Sequence, residues 1–496
     1  MSTRLSKSRF QKGLQCEKAL WLAVHEPDSA DPIDEATQWT FDQGTAVGRV
    51  AQGLFPGGVE VTEDYRHSEE ALATTADLIS HGARVLYEPA FVYDDVLVRV
   101  DILVATEDGR FDLYEVKSTT KLKDQHVTDA AVQTYVVEGA GFPVRRSNVV
   151  HLDTTYVYEG GEYDPVRLFA IEDVTEQVRA FLPLVPDTLE LLRRVLSGPE
   201  PEVLIGQRCR QPYDCEFATR CHAFLPDEHP VTEIPRITDE ALHAFIDAGI
   251  LCIHDLPDNE FGLLTPPQRT VVRVVKAGEP EVDVDGLARD LDKLEYPIYH
   301  LDFETFRAAL PLWPGSRPYE LVPFQYSIHV EHRNGTFEHR EYLHRSGGDP
   351  RRMLAEHLLA DLGNSGSITH YTGYERQVLD ALASALPDLA PSIAALAPRL
   401  FDLEAVIRSR TRHPATNGRT SIKCVLPAWC DDVSYTDLGI QDGQTASVRY
   451  LRAITGELDD AACERVFDDL AAYCGTDTLA MVRLLETLRG LTSNLA

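Results

Sequence analysis

Short apolar and alternating runs in the first 227 residues, among them VLYEPAFVY, VLVRVDILVA and FDLYEVKS, predict strands set between helical stretches. The EDGR between the last two predicts a hairpin, because Asp-Gly tolerates positive backbone angles. A cysteine-rich segment and the loop LPDEHP then mark a boundary at about residue 227. Over residues 228–290 the pattern turns helical. ITDEALHAFIDAGILCIHDLPD runs an apolar helix into Gly249 and a second turn, which predicts a helix-hairpin-helix-like connector. Residues 291–496 open a new α/β pattern with the buried strand YPIYHLDFETF and close it with a long helix around VFDDLAAYCGTDTLAMVRLLETL. No internal repeat, Walker lysine loop or dinucleotide-type glycine fingerprint is present, which argues against a motor or redox role.

At 496 residues, with 44% hydrophobic and 25% charged positions, the chain has the composition of two or three globular domains. It has no signal-like apolar segment and no run of eighteen apolar residues, so the expectation is a cytoplasmic protein without a membrane partner. The net charge of −32 opposes nucleic-acid binding as a global sum, yet nuclease sites are themselves built from carboxylates. Two stretches gather positive charge: Arg4, Lys7, Arg9, Lys12 and Lys18, and then Arg408, Arg410, Arg412, Arg419 and Lys423 in a span free of acids. The second is a candidate grip for a substrate strand, with a solvated loop face as the alternative.

Asp101 falls on the first strand of the predicted hairpin. Glu115 and Lys117, two apart on the second, leave one face and can meet it across the ladder. Two carboxylates and an ammonium suit a hard cation such as Mg²⁺ and an activated water. Val100-Asp101 and Glu115-Val116-Lys117 resemble the motif of the PD-(D/E)XK nucleases in their RecB form. Gln133 and Tyr135 in DAAVQTYV resemble that family's trailing glutamine/tyrosine motif on the following helix. Such nucleases commonly carry a metal-binding histidine in G-x-x-x-H, where Gly44-Thr45-Ala46-Val47-Gly48 has glycine; Glu88 is the candidate substitute ligand.

Cys209, Cys215 and Cys221 recur at six-residue intervals in QRCRQPYDCEFATRC, and Cys16 lies far upstream. Four thiolates suffice for one [4Fe–4S] cluster or one structural zinc; the absence of a short Cys-x-x-Cys knuckle favours iron–sulfur, with zinc the alternative. This one-plus-three arrangement resembles the iron–sulfur nucleases of the AddB type and those associated with CRISPR adaptation, and it implies a structural clasp. The other five cysteines read as core residues.

In YPIYHLDFETF, Asp302 and Glu304 interrupt a buried strand on one face, and like charges side by side ask for a cation. Tyr473 and Asp477 lie one helical turn apart. D-x-E on a first strand with Y-x-x-x-D on a late helix resembles the DnaQ-like DEDD 3′-to-5′ exonucleases in their tyrosine-bearing subgroup. The middle motif matches HYTGYERQVLD, with Thr372 for the family's asparagine and Glu375 as its acid; Asp402 is the other candidate. The resemblance implies two Mg²⁺ or Mn²⁺ ions on Asp302, Glu304, Asp477 and Glu375 or Asp402, a water oriented by Tyr473, and nucleoside 5′-monophosphate as product.

The expected fold class is therefore α/β: a restriction-endonuclease-like PD-(D/E)XK domain with a four-cysteine cluster (1–227), a helical connector (228–290) and an RNase H-like DnaQ-type domain (291–496). This pairing resembles a family in which the two modules occur together. The expected activity is metal-dependent trimming of DNA ends in repair, recombination or defence, with a separate helicase as a candidate partner. An RNA-processing exonuclease and a nucleic-acid-binding scaffold with one or both sites inactive are the alternatives.

Overall fold

The computed structural model describes residues 4–64, 66–257, 262–430 and 432–493. It is a mixed α/β chain in two compact units: residues 1–224 with 308–320, and residues 225–307 with 321–496. The predicted connector is helical, with helices Asp239–Asp247, Pro266–Ala277 and Val284–Leu291, and it packs as part of the second unit.

The first unit opens with strand β1 (Leu5–Ser6) and helices α1 (Lys7–Gln15), α2 (Glu17–His25) and α3 (Glu35–Ala51). Strands β2 (Val59–Glu60), β3 (Val85–Tyr87), β4 (Ala90–Tyr93), β5 (Val96–Arg99), β6 (Ile102–Ala105) and β7 (Phe111–Lys117) follow, then α4 (Asp124–Gly139), β8 (Val144–Leu152) and β9 (Phe169–Asp173). A six-stranded sheet runs β2-β3-β6-β7-β8-β9, and a small one runs β1-β5-β4. The run VLVRVDILVA therefore does not form one strand. It breaks at Val100-Asp101, so β5 and β6 enter different sheets and Asp101 sits at the corner. The predicted hairpin joins β6 to β7 with Ile102 opposite Tyr114. β7 and β8 are parallel, and α4 supplies the crossover that parallel strands require.

The second unit is built on β10 (Ile298–Phe306), β11 (Val322–Glu331), β12 (Phe337–Leu343), β13 (Ile368–His370) and β14 (Leu400–Asp402), in the order β12-β11-β10-β13-β14. The β12-β11-β10 side is antiparallel and the β10-β13-β14 side parallel. Helices α5 (Tyr374–Ala385), α6 (Leu403–Arg410), α7 (Ile422–Trp429) and the long α8 (Asp460–Ser493) complete what bears on the site. Alternation along β10 sends Tyr299, Leu301 and Phe303 into one core with Leu354, Leu358, Val378 and Leu382. The intervening His300, Asp302 and Glu304 share the face on which α8 lies, whose Leu470 carbonyl accepts from Gln325, the residue opposite Glu304.

The turn before β13 is fixed by Arg399, whose guanidinium donates to the carbonyls of Leu362, Gly363, Ser365 and Gly366 at 2.7–2.8 Å. Gly366 has φ +88°, and a Cβ there would run into the Pro297 carbonyl oxygen. Gly366→Ala is expected to lower stability by about 1–3 kcal/mol in urea unfolding; an unchanged midpoint would show that the turn tolerates a side chain.

Candidate active sites

In the second unit, β10 presents Asp302 and Glu304 with the α8 residue Cys474, and the ligand atoms of all three lie within 4.8 Å of one another. Cys474 Sγ is 3.6 Å from Asp302 Oδ2. Asp477, one turn further along α8, accepts from the Tyr435 hydroxyl at 2.6 Å, and the Tyr473 hydroxyl also lies against it. Glu375, in the first turn of α5, is 2% exposed, and its Oε2 faces His370 Nδ1 at 3.3 Å. Thr372, preceding it, holds a positive φ of +78°, strained for a β-branched residue.

The charges of Asp477, Glu304 and Glu375 all bear on Asp302. Burial, and then Asp477, Glu304 and Glu375, push the Asp302 carboxyl well above its ordinary range. Burial and Asp477 do the same to Glu304, with Lys423 pulling the other way. Burial raises Asp477 to about 6, against the Tyr435 hydrogen bond and the charge of Lys423. Among the described residues no cation forms an ion pair with Asp302, Glu304 or Asp477. Lys423 Nζ instead donates to the Gln441 carbonyl and sits 5.3 Å and 5.6 Å from the ring centroids of Tyr473 and Tyr435. Such a donor set fits hard divalent cations, which would supply the missing positive charge.

Asp402 is displaced from this group. Its side chain caps α6, accepting from Ala405 N–H at 2.9 Å, and its charge falls on His370 and Glu375, not on Asp302. Glu375 is thus the acid the fold brings to Asp302. Lys423 is the one member of the basic stretch whose charge reaches the acids. Arg410 is tied to Asp283 and Asp290, and Arg419 to Glu233, so these two already have acidic neighbours on the protein itself. Tyr435 and Cys474 had no assigned part; Cys474 is a core residue that also borders the acids, at the i−3 position from Asp477.

In the first unit, Val116 N–H donates to Asp101 Oδ2 at 2.6 Å, which brings Asp101 beside Glu115. Glu115, 1% exposed, accepts from Lys7 and Lys117 at 2.8 Å each through Oε1 and from Gln133 through Oε2. Lys117 also reaches Asp129 at 2.5 Å. Lys7 and Lys117 hold the Glu115 carboxyl well down despite burial, whereas burial and then Glu115 push Asp101 up to about 8. A divalent cation at these residues would have to compete with Lys7 and Lys117 for Glu115 Oε1. Gln133 joins the site, but Tyr135 does not: two residues apart on a helix means nearly opposite faces, and the Tyr135 hydroxyl donates to Asp94 at 3.2 Å. Glu88 pairs with Arg99 at 3.5 Å and feels Glu115 and Lys7 only electrostatically. A Cβ at Gly48 would meet nothing within 4 Å, so no side chain fills that place on α3. Sequence reading missed Asp129, and it put Lys7 in a basic stretch whose Lys12 and Lys18 also prove to be paired, with Glu216 and Glu200.

Cys16, Cys209, Cys215 and Cys221 line one small pocket with Ala19 and Phe217. All four are free thiols, and burial pushes Cys215 up to about 11. Four thiols on one pocket are a donor set that either an iron–sulfur cluster or a structural zinc ion could take.

The charge balance in the second unit has a measurable consequence. Asp302, Glu304, Glu375 and Asp477 all have folded-state pKa values above their unfolded ones, so folding without metal takes up protons. In EDTA, stability is expected to rise as pH falls through about 6, the raised value of Asp477, and Asp302→Asn to stabilise the fold by about 1 kcal/mol or more above that pH. Urea melts above and below that pH decide it; a destabilising Asp302→Asn would mean that the acids are not repelling one another.

Residues 299–421 match the model of a family described as a domain of unknown function, DUF2779. The match takes in Asp302, Glu304, Glu375 and Asp402 and ends before Lys423, Tyr473 and Asp477. No curated protein matches the chain. A solved structure described as the crystal structure of SSO0001 is similar over 46% of this chain and 89% of that one, at 11% identity and a TM-score of 0.22, too slight a likeness to carry an argument. No helix among the described residues is long and apolar enough to cross a membrane.

Proposed function

We propose that this chain is a metal-dependent nuclease whose hydrolytic centre is the four-carboxylate site of the second unit, acting from the 3′ ends of DNA in repair, recombination or defence. The observation that carries the reading is the close approach of Asp302 and Glu304, with Asp477 and Glu375 near enough for their charges to bear on Asp302 and, among the described residues, no ion-pair partner for Asp302, Glu304 or Asp477. Further support is the strand order β12-β11-β10-β13-β14, antiparallel on one side of β10 and parallel on the other, which agrees with what the resemblance to RNase H-like, DnaQ-type domains implies.

Divalent Mg²⁺ or Mn²⁺ bound there supplies charge stabilisation to the attacking and leaving oxygens. Asp302, Glu304 and Asp477 hold the charge in place, and Glu375 closes the set. Tyr435 fixes the Asp477 carboxylate through its hydrogen bond. Tyr473 orients the attacking water, and Lys423, above the Tyr473 ring, offers positive charge to the phosphate. The cleft beside Lys423 is lined by Leu426, Pro427, Val433, Tyr435 and Gln441, and Tyr435 links it to Asp477. In the first unit the four cysteines hold an iron–sulfur cluster that clasps α1 and α2 to the segment around residues 207–221.

Two experiments test the reading. With Mg²⁺ or Mn²⁺, end-labelled single-stranded DNA is expected to shorten stepwise from the 3′ end and RNA much less, with the rate lowered about a thousandfold or more in Asp302→Asn. Wild-type rates in that variant would remove the site from the chemistry, and preference for RNA would favour an RNA-processing enzyme. Anaerobically purified protein is expected to carry about four iron and four sulfide per chain, with both lost in Cys215→Ser; stoichiometric zinc in their place would overturn the cluster.

A further inference from the structure

The acid site of the first unit already contains positive charge. Glu115 Oε1 accepts from two ammonium groups at 2.8 Å, Lys7 and Lys117, and the Gln133 amide takes the other oxygen. Lys117 belongs to the same strand as Glu115 and is shared with Asp129. Lys7 comes from 108 residues away, and its charge falls on Asp101 as well as Glu115. It therefore faces the two carboxyls between which a divalent ion would bind.

Both ends of α1 hold Lys7 in that place. Just before it, β1 pairs in parallel with β5, Leu5 opposite Val96, and Ser6 caps the helix by accepting from Arg9 N–H. At the far end Cys16 is the cap residue, its N–H donating to the Lys12 carbonyl at 2.8 Å. Gln15 donates to the carbonyls of Arg208 and Tyr213, and Lys12 pairs with Glu216, all in the segment that carries the other three cysteines. One helix of nine residues, about 14 Å long, thus runs from the acid site to the cysteine cavity.

We propose that the Lys7 ammonium is the resident cation of the first unit's acid site, set there by α1 between β1 and the cysteine clasp, and that it excludes a divalent ion from Asp101 and Glu115. A divalent ion and an ammonium compete for the same oxygens, and the ammonium is covalently tethered, so its local concentration does not fall on dilution. The first unit then contributes structure and placement, while metal-dependent chemistry is confined to the second. The inference stands apart from the nuclease reading, since it concerns ion occupancy alone.

The test is Mn²⁺ titration of the full-length, cluster-containing chain, followed by loss of the free-ion electron paramagnetic resonance signal. All proteins carry Asp302→Asn, and wild type with and without that change shows separately whether the second unit binds metal. Lys7→Ala is expected to bind one more Mn²⁺ than its parent, at least tenfold more tightly, with the gain abolished by Asp101→Asn and absent in Lys7→Arg. Lys7→Met keeps the aliphatic stem packed and is expected to gain the same ion should the alanine variant misfold. An Asp101-dependent Mn²⁺ already bound as tightly by the parent would overturn the proposal, as would folded Lys7→Ala or Lys7→Met protein that gains none.

Discussion

Carboxylates buried beside one another repel, and each has lost most of the water that would screen it, so a fold that gathers them must bring positive charge or hold some of them protonated. In the second unit, β10 and α8 press Asp302, Glu304 and Asp477 together, with Lys423 as the nearest contributor of positive charge. The result is carboxyls pushed upward in pKa and a site that gains from a cation. In the first unit the same problem is solved from within, by Lys7 and Lys117 on Glu115. Similar residue types thus have opposite ionic requirements, and the difference lies in whether an ammonium reaches the carboxylate oxygens.

What held the acids of the second unit legible in the sequence is local periodicity. Asp302 and Glu304 alternate along one strand, and Tyr473 and Asp477 lie one turn apart on one helix, so each pair shares a face before any tertiary structure is known. Cys474 was readable by the same rule, three residues before Asp477 on that helix, but an apolar-looking cysteine among core residues gives no separate signal. Choosing Glu375 over Asp402 required the parallel pairing of β13 with β14, which sets Asp402 opposite His370 and leaves it free to cap α6.

The first unit was less legible because its decisive contacts are long-range. Glu115 and Lys117 follow from strand alternation, and the hairpin from Asp-Gly, yet no local pattern connects Lys7 with Glu115 across 108 residues. Helical spacing does separate Gln133 from Tyr135, and it places Asp129 one turn before Gln133 on the inward face. The pairing of the two basic stretches was hidden for a related reason: in a chain of net charge −32 an arginine or lysine finds a nearby acid, and most of theirs are paired.

The most direct test of these contrasting charge states is the anomalous scattering of Mn²⁺ in crystals of the wild-type chain. The account predicts manganese among Asp302, Glu304 and Asp477, and none between Asp101 and Glu115, where the Lys7 ammonium remains in contact with Glu115. Manganese at Asp101 and Glu115 with Lys7 withdrawn, and none at Asp302, would contradict it.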